Sequence, residues 1–472
     1  MEFSKMKVLS ADEVYTLHLH IMEVLETIGI SVTEKESLKV FEKGGARVDH
    51  NQNRVYIPTG LAKHCLQTMP NSITFYDSFG KRAGLIGGEE RHYGPLGYST
   101  SYIDKDGRHQ EGSYEALLEE AKLVDVIEES TFMHPSIQPV DKPAELQDMY
   151  MVKAMLTGTR KPTHSVGNSE RTAEGIIEMH AEVLGGVDIL RQKPRHMFNV
   201  CTFSPLAIRD DACEVIRAAA KYKVPCMFST GTMAGATSPV TLAGSVVQAI
   251  AEVIAHVVLS QLYAPGSPNS ILSASRIFDM KFGVCTTATP EYPLLKAASN
   301  QMVEFYGLPS GGMAPMSDSN EYDAQYGWEK MATGLIARQS GMTLMWGMGM
   351  FSQLNMFGFE ALAIDAEIVR SIERIARGME VNKNSLAFEV MAEAVKNRDF
   401  LGKKHTAQNY SKEFMMPGLT DRNMFSNYLK NPENNLRQRA RHQLEVYAGK
   451  YNYEKGRADS DKLQKIIDGV KF

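Results

Sequence analysis

Hydrophobic positions change rhythm twice along the chain. Between residues 11 and 29, Val14, Leu17, Ile21, Val24, Leu25 and Ile28 recur at helical spacing, and Gly29 ends the run. A second helix is predicted near 34 to 44, stopped by Gly44 and Gly45. "ARVDHNQNRVYI" alternates around a polar turn and reads as a hairpin; "PTGLAKHCLQTM" reads as a helix opened by proline, and "SITFYD" as a strand. These elements predict an N-terminal α+β cap over residues 1–114, continuing through the hairpin-like "RHYGPLGYSTSYIDKDGRHQ".

From residue 115 short apolar runs recur every thirty to forty residues: "TFMHPSI", "THSVG", "HMFNVCTF", "VPCMFST", "NSILSAS", "GLPSGGM" and "TLMWGMGM". Amphipathic segments such as 171 to 184 and 210 to 222 separate them. Strand and helix in alternation argue for a parallel sheet with crossover helices. The predicted fold class is α/β: a (β/α)8 TIM-type barrel over residues 115–472, with a C-terminal helical extension. The pattern supplies seven strands and leaves the eighth unassigned. An open doubly wound sheet is the competing arrangement, but no GxGxxG follows the first strand. In a barrel, function sits at the C-terminal ends of the strands. That places His134, His164, Cys201, Phe203, Ser229, Thr230, Ser273, Arg276, Met313, Trp346, Met348, Met350 and Phe351 near one mouth.

Composition narrows the function classes. A formal net charge of −5 with scattered basic residues offers no footprint for nucleic acid. Cys65, Cys201, Cys213, Cys226 and Cys285 are odd in number and widely spaced, which predicts neither a disulfide framework nor a zinc site, and points to a reducing, cytoplasmic setting. No basic start, apolar core and cleavage site marks a leader for export. Residues 241 to 263 are long and apolar enough to span a bilayer. Gln248, Glu252 and His256 near the middle make a buried crossover helix the better reading, with no membrane contact. Glu252 and His256 share a helical face, and without a second histidine they read as a buried hydrogen-bonded pair and not as metal ligands.

Candidate chemistry is sparse. "GTMAGATSP" lacks the GK[ST] ending of a phosphate loop. His164 closes a strand and is read equally as core or as a ligand contact; Cys201 has no histidine nearby in sequence to activate it. The stretch "MTLMWGMGMFSQLNMFGF" concentrates methionine with Trp346, Phe351, Phe357 and Phe359. Most of it reads as core, yet aromatic faces and thioethers at a barrel mouth suit a cation with no N–H to donate, at about 2 kcal/mol when desolvated. Arg276, just past a strand end, is either a surface ion pair or a fork for a carboxylate.

"HIMEVLETIGI", "SPVTLAGSVVQAIAEVIAHVVLSQLYAPG", "FYGLPS", "SDSNEYDAQYGWEK" and "MMPGLTDRNMF", in that order over nearly the whole chain, resemble the trimethylamine methyltransferase superfamily. The resemblance implies a barrel enzyme that passes a methyl group to the cobalt of a partner corrinoid protein, with no tightly bound cofactor because cobalamin is supplied by that partner. In trimethylamine-specific members a pyrrolysine precedes a Ser-Asp pair by two residues. Ser317 and Asp318 match the pair, so Pro315 takes the pyrrolysine position and no residue can form the electrophilic imine. The resemblance is therefore to non-pyrrolysine members acting on glycine betaine, proline betaine or carnitine, with glycine betaine favoured. The expected substrate contacts are Tyr98, His164, Phe203, Arg276, Trp346, Met350, Phe351 and Phe357. Gly312, Met313, Asp318, Asp323 and Gln325 are expected on the corrinoid-facing loop, where small residues leave room for substrate and corrin. A homo-oligomer is expected. The rival readings are a (β/α)8 lyase or hydrolase using His164, and a non-catalytic quaternary-ammonium binding protein.

Overall fold

Parallel strands buried on both faces need a helical crossover between each pair, and the chain supplies one every time. The computed structural model describes residues 5–431, 433–453 and 458–470. Its main sheet has seven parallel strands: β1 (His92–Pro95), β2 (Thr163–Ser165), β3 (His196–Cys201), β4 (Cys226–Ser229), β5 (Asn269–Ser273), β6 (Ser310–Met313) and β7 (Leu344–Met348). Neighbours in sequence pair in register from β2 to β7, and β7 pairs with β1. Residues 131–134 fill the remaining gap between β1 and β2. Thr131 N–H donates to Tyr93 O, Met133 N–H to Pro162 O, and His164 N–H to Met133 O, each at 2.8 Å. The sheet thus closes on itself, with a bridge-paired segment as its eighth stave.

The stave that the sequence pattern leaves unassigned is "HYGP", inside the segment expected to continue the cap. It is short, ends in proline and contains Gly94, so it carries no strand-like alternation. Gly94 is needed for close approach: a Cβ there would lie 2.5 Å from the Phe132 ring. Conversely "TFMHPSI", expected as a strand, forms only two isolated bridges, Met133 with Thr163 and Ile137 with Ser99.

The crossovers are α1 (Tyr114–Val126), α2 (Gln147–Gly158), α3 (Glu170–Leu184), α4 (Asp210–Tyr222), α5 (Leu242–Tyr263), α6 (Glu291–Phe305), α7 (Ala324–Gln339) and α8 (Phe359–Ala376). Among the described residues α5 is the one helix long and apolar enough to cross a membrane, and 72% of that window is buried in the protein. Val253, Ile254, Val257 and Val258 are fully buried, each worth about 1.5–3 kcal/mol of hydrophobic stabilisation. Glu252 and His256 do not pair through their side chains. His256 Nδ1 donates to the Glu252 backbone carbonyl at 2.8 Å, as helical geometry allows at i, i+4. The Glu252 carboxylate instead accepts from Thr202 Oγ1, Ser204 Oγ and Leu206 N, pinning the loop after β3.

At the N-terminal end of the barrel, the antiparallel hairpin Ile73–Tyr76/Arg82–Ile86 forms a floor. Phe75 reaches the His164 ring, centroid to centroid at 5.6 Å. The opposite end is the mouth, where the longer strand-to-helix loops gather.

Candidate active site at the barrel mouth

Three features build the mouth. The first is an aromatic column running up the barrel. His164 stacks on Phe132 at 4.5 Å; Trp346 lies 5.1 Å from His164 and 4.6 Å from His134; Tyr98 meets His134 edge-on at 4.8 Å. His134 Nδ1–H donates to Pro135 O at 3.2 Å, so its Nε2 accepts the Tyr98 hydroxyl proton at 2.9 Å. The same Tyr98 oxygen accepts from Val166 N at 3.0 Å. Burial pushes the His134 pKa down to about 3, and burial with neighbouring histidines holds His164 well below the usual imidazole range. Both rings are neutral at physiological pH.

The column corrects two expectations. His164 does not lie at the mouth, because β2 is short and pairs Met197↔His164 low in the barrel, next to the floor. Trp346 is fully buried against His134, His164 and Phe132, so it is no open wall. The column ring that is not fully buried is Tyr98, a partly buried side chain at φ 146° with its hydroxyl buried.

The second feature is cationic. After β4 and β5 the chain forms a small rim sheet in which Met233–Ala234 pairs with Arg276–Asp279, and Arg276–Asp279 with Val284–Thr286. This sheet carries Arg276 to the mouth. Its Nε is buried without a hydrogen-bond partner, and among the described residues no carboxylate forms an ion pair with it. Beneath it the buried Lys296 donates to the carbonyls of Ser273 and Ser275 at 2.6 and 2.9 Å and stands 4.4 Å from the Tyr292 ring. Burial first, and the Arg276 charge second, hold Lys296 well below the usual amine range. Cys201 is solvent-accessible on the wall of a cavity of about 220 Å³ that also contacts Phe203. Cys201 lies within electrostatic reach of both Arg276 and Tyr98. Although the residue is exposed, desolvation of its sulfur by the packed neighbours raises the thiol pKa and favours the thiol over the thiolate. Phe203 is exposed on the rim, with Arg209 over its ring at 5.8 Å.

The third feature is the "SDSNEYD" loop. Asp318 accepts from Thr287 N and Oγ1 at 2.8 Å and from Ala288 N at 3.1 Å; burial raises its pKa. Asp323 caps α7 by accepting from Tyr326 N and from Ser319 Oγ, both at 3.0 Å. Gln325 Nε2 donates to Glu329, whose other oxygen accepts from Ser317 Oγ and Asp318 N. Ser352, Gln353 and Leu354, all at positive φ, turn over this loop; Ser352 N–H donates to Ser319 O at 2.9 Å and Gln353 Nε2 to Asp318 O at 3.1 Å. These side chains hold loops together.

The remaining expected contacts are dispersed. Met350 is buried beneath Gly97, and Phe351 packs edge-on against Tyr322 at 5.2 Å beside a rim cavity of about 300 Å³. Phe357 is fully buried against Phe359 and Gly349, so it does not line the mouth. Gly312 is in strand β6 and not on a loop: Cβ atoms at Gly311 and Gly312 would strike Leu272 and Met342, so these glycines make room inside the barrel wall. Met313 is buried and accepts from Tyr292 through its carbonyl at 2.9 Å. Pro315 is buried against the middle of α7, where a Cβ on Gly334 would lie 3.2 Å from its own, and its carbonyl accepts from Lys330 Nζ. It faces the helix layer. Sequence reasoning missed Lys296 and the buried Lys330–Asp365 pair (2.7 Å). Their signal was a lone lysine inside an apolar helical face, in "PLLKAAS" and "WEKMATG".

A closed (β/α)8 barrel with a cationic and aromatic mouth at its strand C-termini defines the class. Residues 1–469 match the family described as trimethylamine methyltransferase (MTTB), and the chain belongs to that family of methyltransferases. It is 29% identical over 432 residues to trimethylamine methyltransferase MttB of Desulfitobacterium hafniense strain DSM 10664 / DCB-2, covering 91% of this chain and 87% of that one. It is 28% identical to glycine betaine methyltransferase of D. hafniense strain Y51, covering 90% and 89%. Trimethylamine methyltransferase MttB1 of Methanosarcina mazei is 30% identical, covering 90% and 87%. The solved monomethylamine methyltransferase of Methanosarcina barkeri aligns over 100% of this chain and 97% of its own, at 12% identity and a TM-score of 0.49.

Proposed function

We propose that this chain transfers a methyl group from a quaternary amine bearing a carboxylate, glycine betaine first, to the Co(I) of a separate corrinoid protein, without pyrrolysine. The observation that carries the reading is Arg276, a guanidinium at the mouth with a buried, unsatisfied Nε and, among the described residues, no carboxylate paired with it. A carboxylate on the substrate would complete that hydrogen-bonding set. The partly buried Tyr98 ring supplies the face for the trimethylammonium end, at about 2 kcal/mol when desolvated.

The chemistry asks little else of the protein. One N–CH3 bond breaks, its electron pair stays on nitrogen as the neutral tertiary amine leaves, and the methyl carbon accepts the electron pair of Co(I). No proton moves. Neutral His134 and His164 and a protonated Cys201 fit a site with no general acid. The protein's contribution is orientation, worth several kcal/mol when one methyl points out of the mouth. Positive charge on nitrogen falls toward the transition state, so one ring face with a remote anchor serves better than a full cage. The 317–325 loop then forms the rim on which the corrinoid protein docks.

The test mixes the protein with chemically reduced cobalamin and a panel of quaternary amines and follows the cobalt spectrum. Methylcob(III)alamin is expected with betaine. Turnover without any cobalt species, or methylation from trimethylamine alone, would overturn the reading. Arg276→Ala is expected to cost about 1.5–3 kcal/mol in kcat/KM for betaine and to spare a carboxylate-free quaternary amine. Equal losses on both would remove the anchor.

A further inference from the structure

Nothing in the methyl transfer calls on Lys296, a buried lysine on α6. The β5–β6 ladder ends at the Ser273–Gly312 pair, and the chain then joins the rim sheet at Arg276. Lys296 Nζ spans that handover, donating to Ser273 O at 2.6 Å and to Ser275 O at 2.9 Å. Residues just past β4 grip the same stretch from the other side. Thr230 Oγ1 accepts from Ala274 N at 2.8 Å and from Ser275 Oγ at 2.9 Å. Thr232 Oγ1 donates to Ser275 Oγ at 2.7 Å, and Arg276 N donates to Thr232 O at 2.9 Å. Thr230, Thr232 and Ser275 are all buried. The backbone leading to Arg276 is thus held from the helix layer and from the neighbouring stave, while the guanidinium Nε is left unpaired.

Stability alone does not account for a lysine here. A buried ammonium needs an opposite charge to offset its desolvation. Lys330, equally buried, meets Asp365 at 2.7 Å. Among the described residues Lys296 pairs with no carboxylate, and Arg276 adds a second positive charge beside it. What the side chain supplies is two N–H donors from a packed helix, aimed at carbonyls two residues apart. Tyr292, one turn earlier on the same face, donates to Met313 O at 2.9 Å, so α6 fastens the exits of both β5 and β6. We propose that Lys296 is a positioning residue that fixes residues 273–275 so that the Arg276 fork is held ready for the substrate carboxylate, with Thr230 its counterpart across the strand. The proposal rests on Arg276 being the carboxylate anchor. Pre-set geometry of this kind acts on the anchored end alone, because a carboxylate needs the fork in one orientation whereas a ring face tolerates small shifts.

Calorimetric titration of the full chain with glycine betaine and with choline separates the two ends of the substrate. Choline carries the same trimethylammonium group, with a hydroxyl and no carboxylate at the other end. Lys296→Met, similar in length and without donors, is expected to raise Kd for betaine about tenfold and to leave that for choline within about twofold. Thr230→Val, which loosens the same stretch from the neighbouring stave, gives the same readout should the lysine variant fold poorly. Tyr292→Phe, which loosens α6 without touching residues 273–276, is expected to leave the ratio of the two Kd values unchanged. An unchanged ratio in the Lys296 and Thr230 variants, while Arg276→Ala removes the preference for betaine, overturns this inference and leaves the anchor standing. So does a loss shared equally by both ligands, or an equal shift in Tyr292→Phe. No preference for betaine in the unaltered chain, or one that survives Arg276→Ala, overturns the anchor and this inference with it.

Discussion

At φ 146°, the Tyr98 backbone lies where side chains are rarely tolerated, a strain of order 1–3 kcal/mol. Its hydroxyl, shared between His134 Nε2 and Val166 N–H, holds it there and leaves the ring edge-on to His134. Tyr98→Phe strips both partners and is expected to destabilise the fold by roughly 1–3 kcal/mol, measured by denaturant titration. A change within error would show that ring packing alone positions Tyr98. Arg276 was legible in the sequence as a residue just past a strand end, whereas Tyr98 was expected only as a substrate contact implied by the family resemblance. The burial of Trp346 was not, because its neighbours Phe132, His134 and His164 come from distant segments. Nor could spacing reveal that Pro315 faces α7.

Among the elements, α7 and α8 lock β6 to β7 through a charged pair. Lys330 Nζ reaches Asp365 at 2.7 Å, Gly347 O at 2.8 Å and Pro315 O at 3.1 Å, and Asp365 also accepts from Tyr326 Oη and Gly349 N. Burial pushes Lys330 down and Asp365 up, and each charge opposes the other's shift. Lys330→Met leaves the carboxylate buried without a cation and is expected to cost about 3–5 kcal/mol, with part recovered in the Lys330→Met/Asp365→Leu double variant. Equal loss in both would mean that the pair contributes nothing beyond packing. Strand and helix alternation made six of the seven main strands legible, since each is an apolar run bounded by turn residues. β1 escaped because Gly94 and Pro95 erase its pattern, and its partner β7 is about 250 residues away.

On the scale of the molecule, buried histidines set the pH response. Burial takes His134 and His196 down to about 3 and His256 to about 4, and holds His164 and His180 well below the ordinary value of 6.5. As pH falls below 6.5 the unfolded chain takes up protons that the folded chain refuses, so stability is lost progressively between pH 6.5 and about 3. The buried Glu120, raised to about 8, works on the other side: its contribution is complete below pH 4.5 and is lost as pH rises through 8. Denaturation midpoints are expected to be highest near neutrality and to fall steeply toward pH 5; a flat acid limb would contradict the buried neutral rings. The closure of the barrel has its own consequence. Where the other staves are joined by ladders, residues 131–134 are fastened to their neighbours through Thr131, Met133 and His164. The ring is in effect a bracelet with a clasp, and Phe132 and His134 are mounted on it. Any breathing needed to seat a bulky cation beside Tyr98 can be taken up at that fastening, while the remaining hoop and the arginine on its far rim stay fixed.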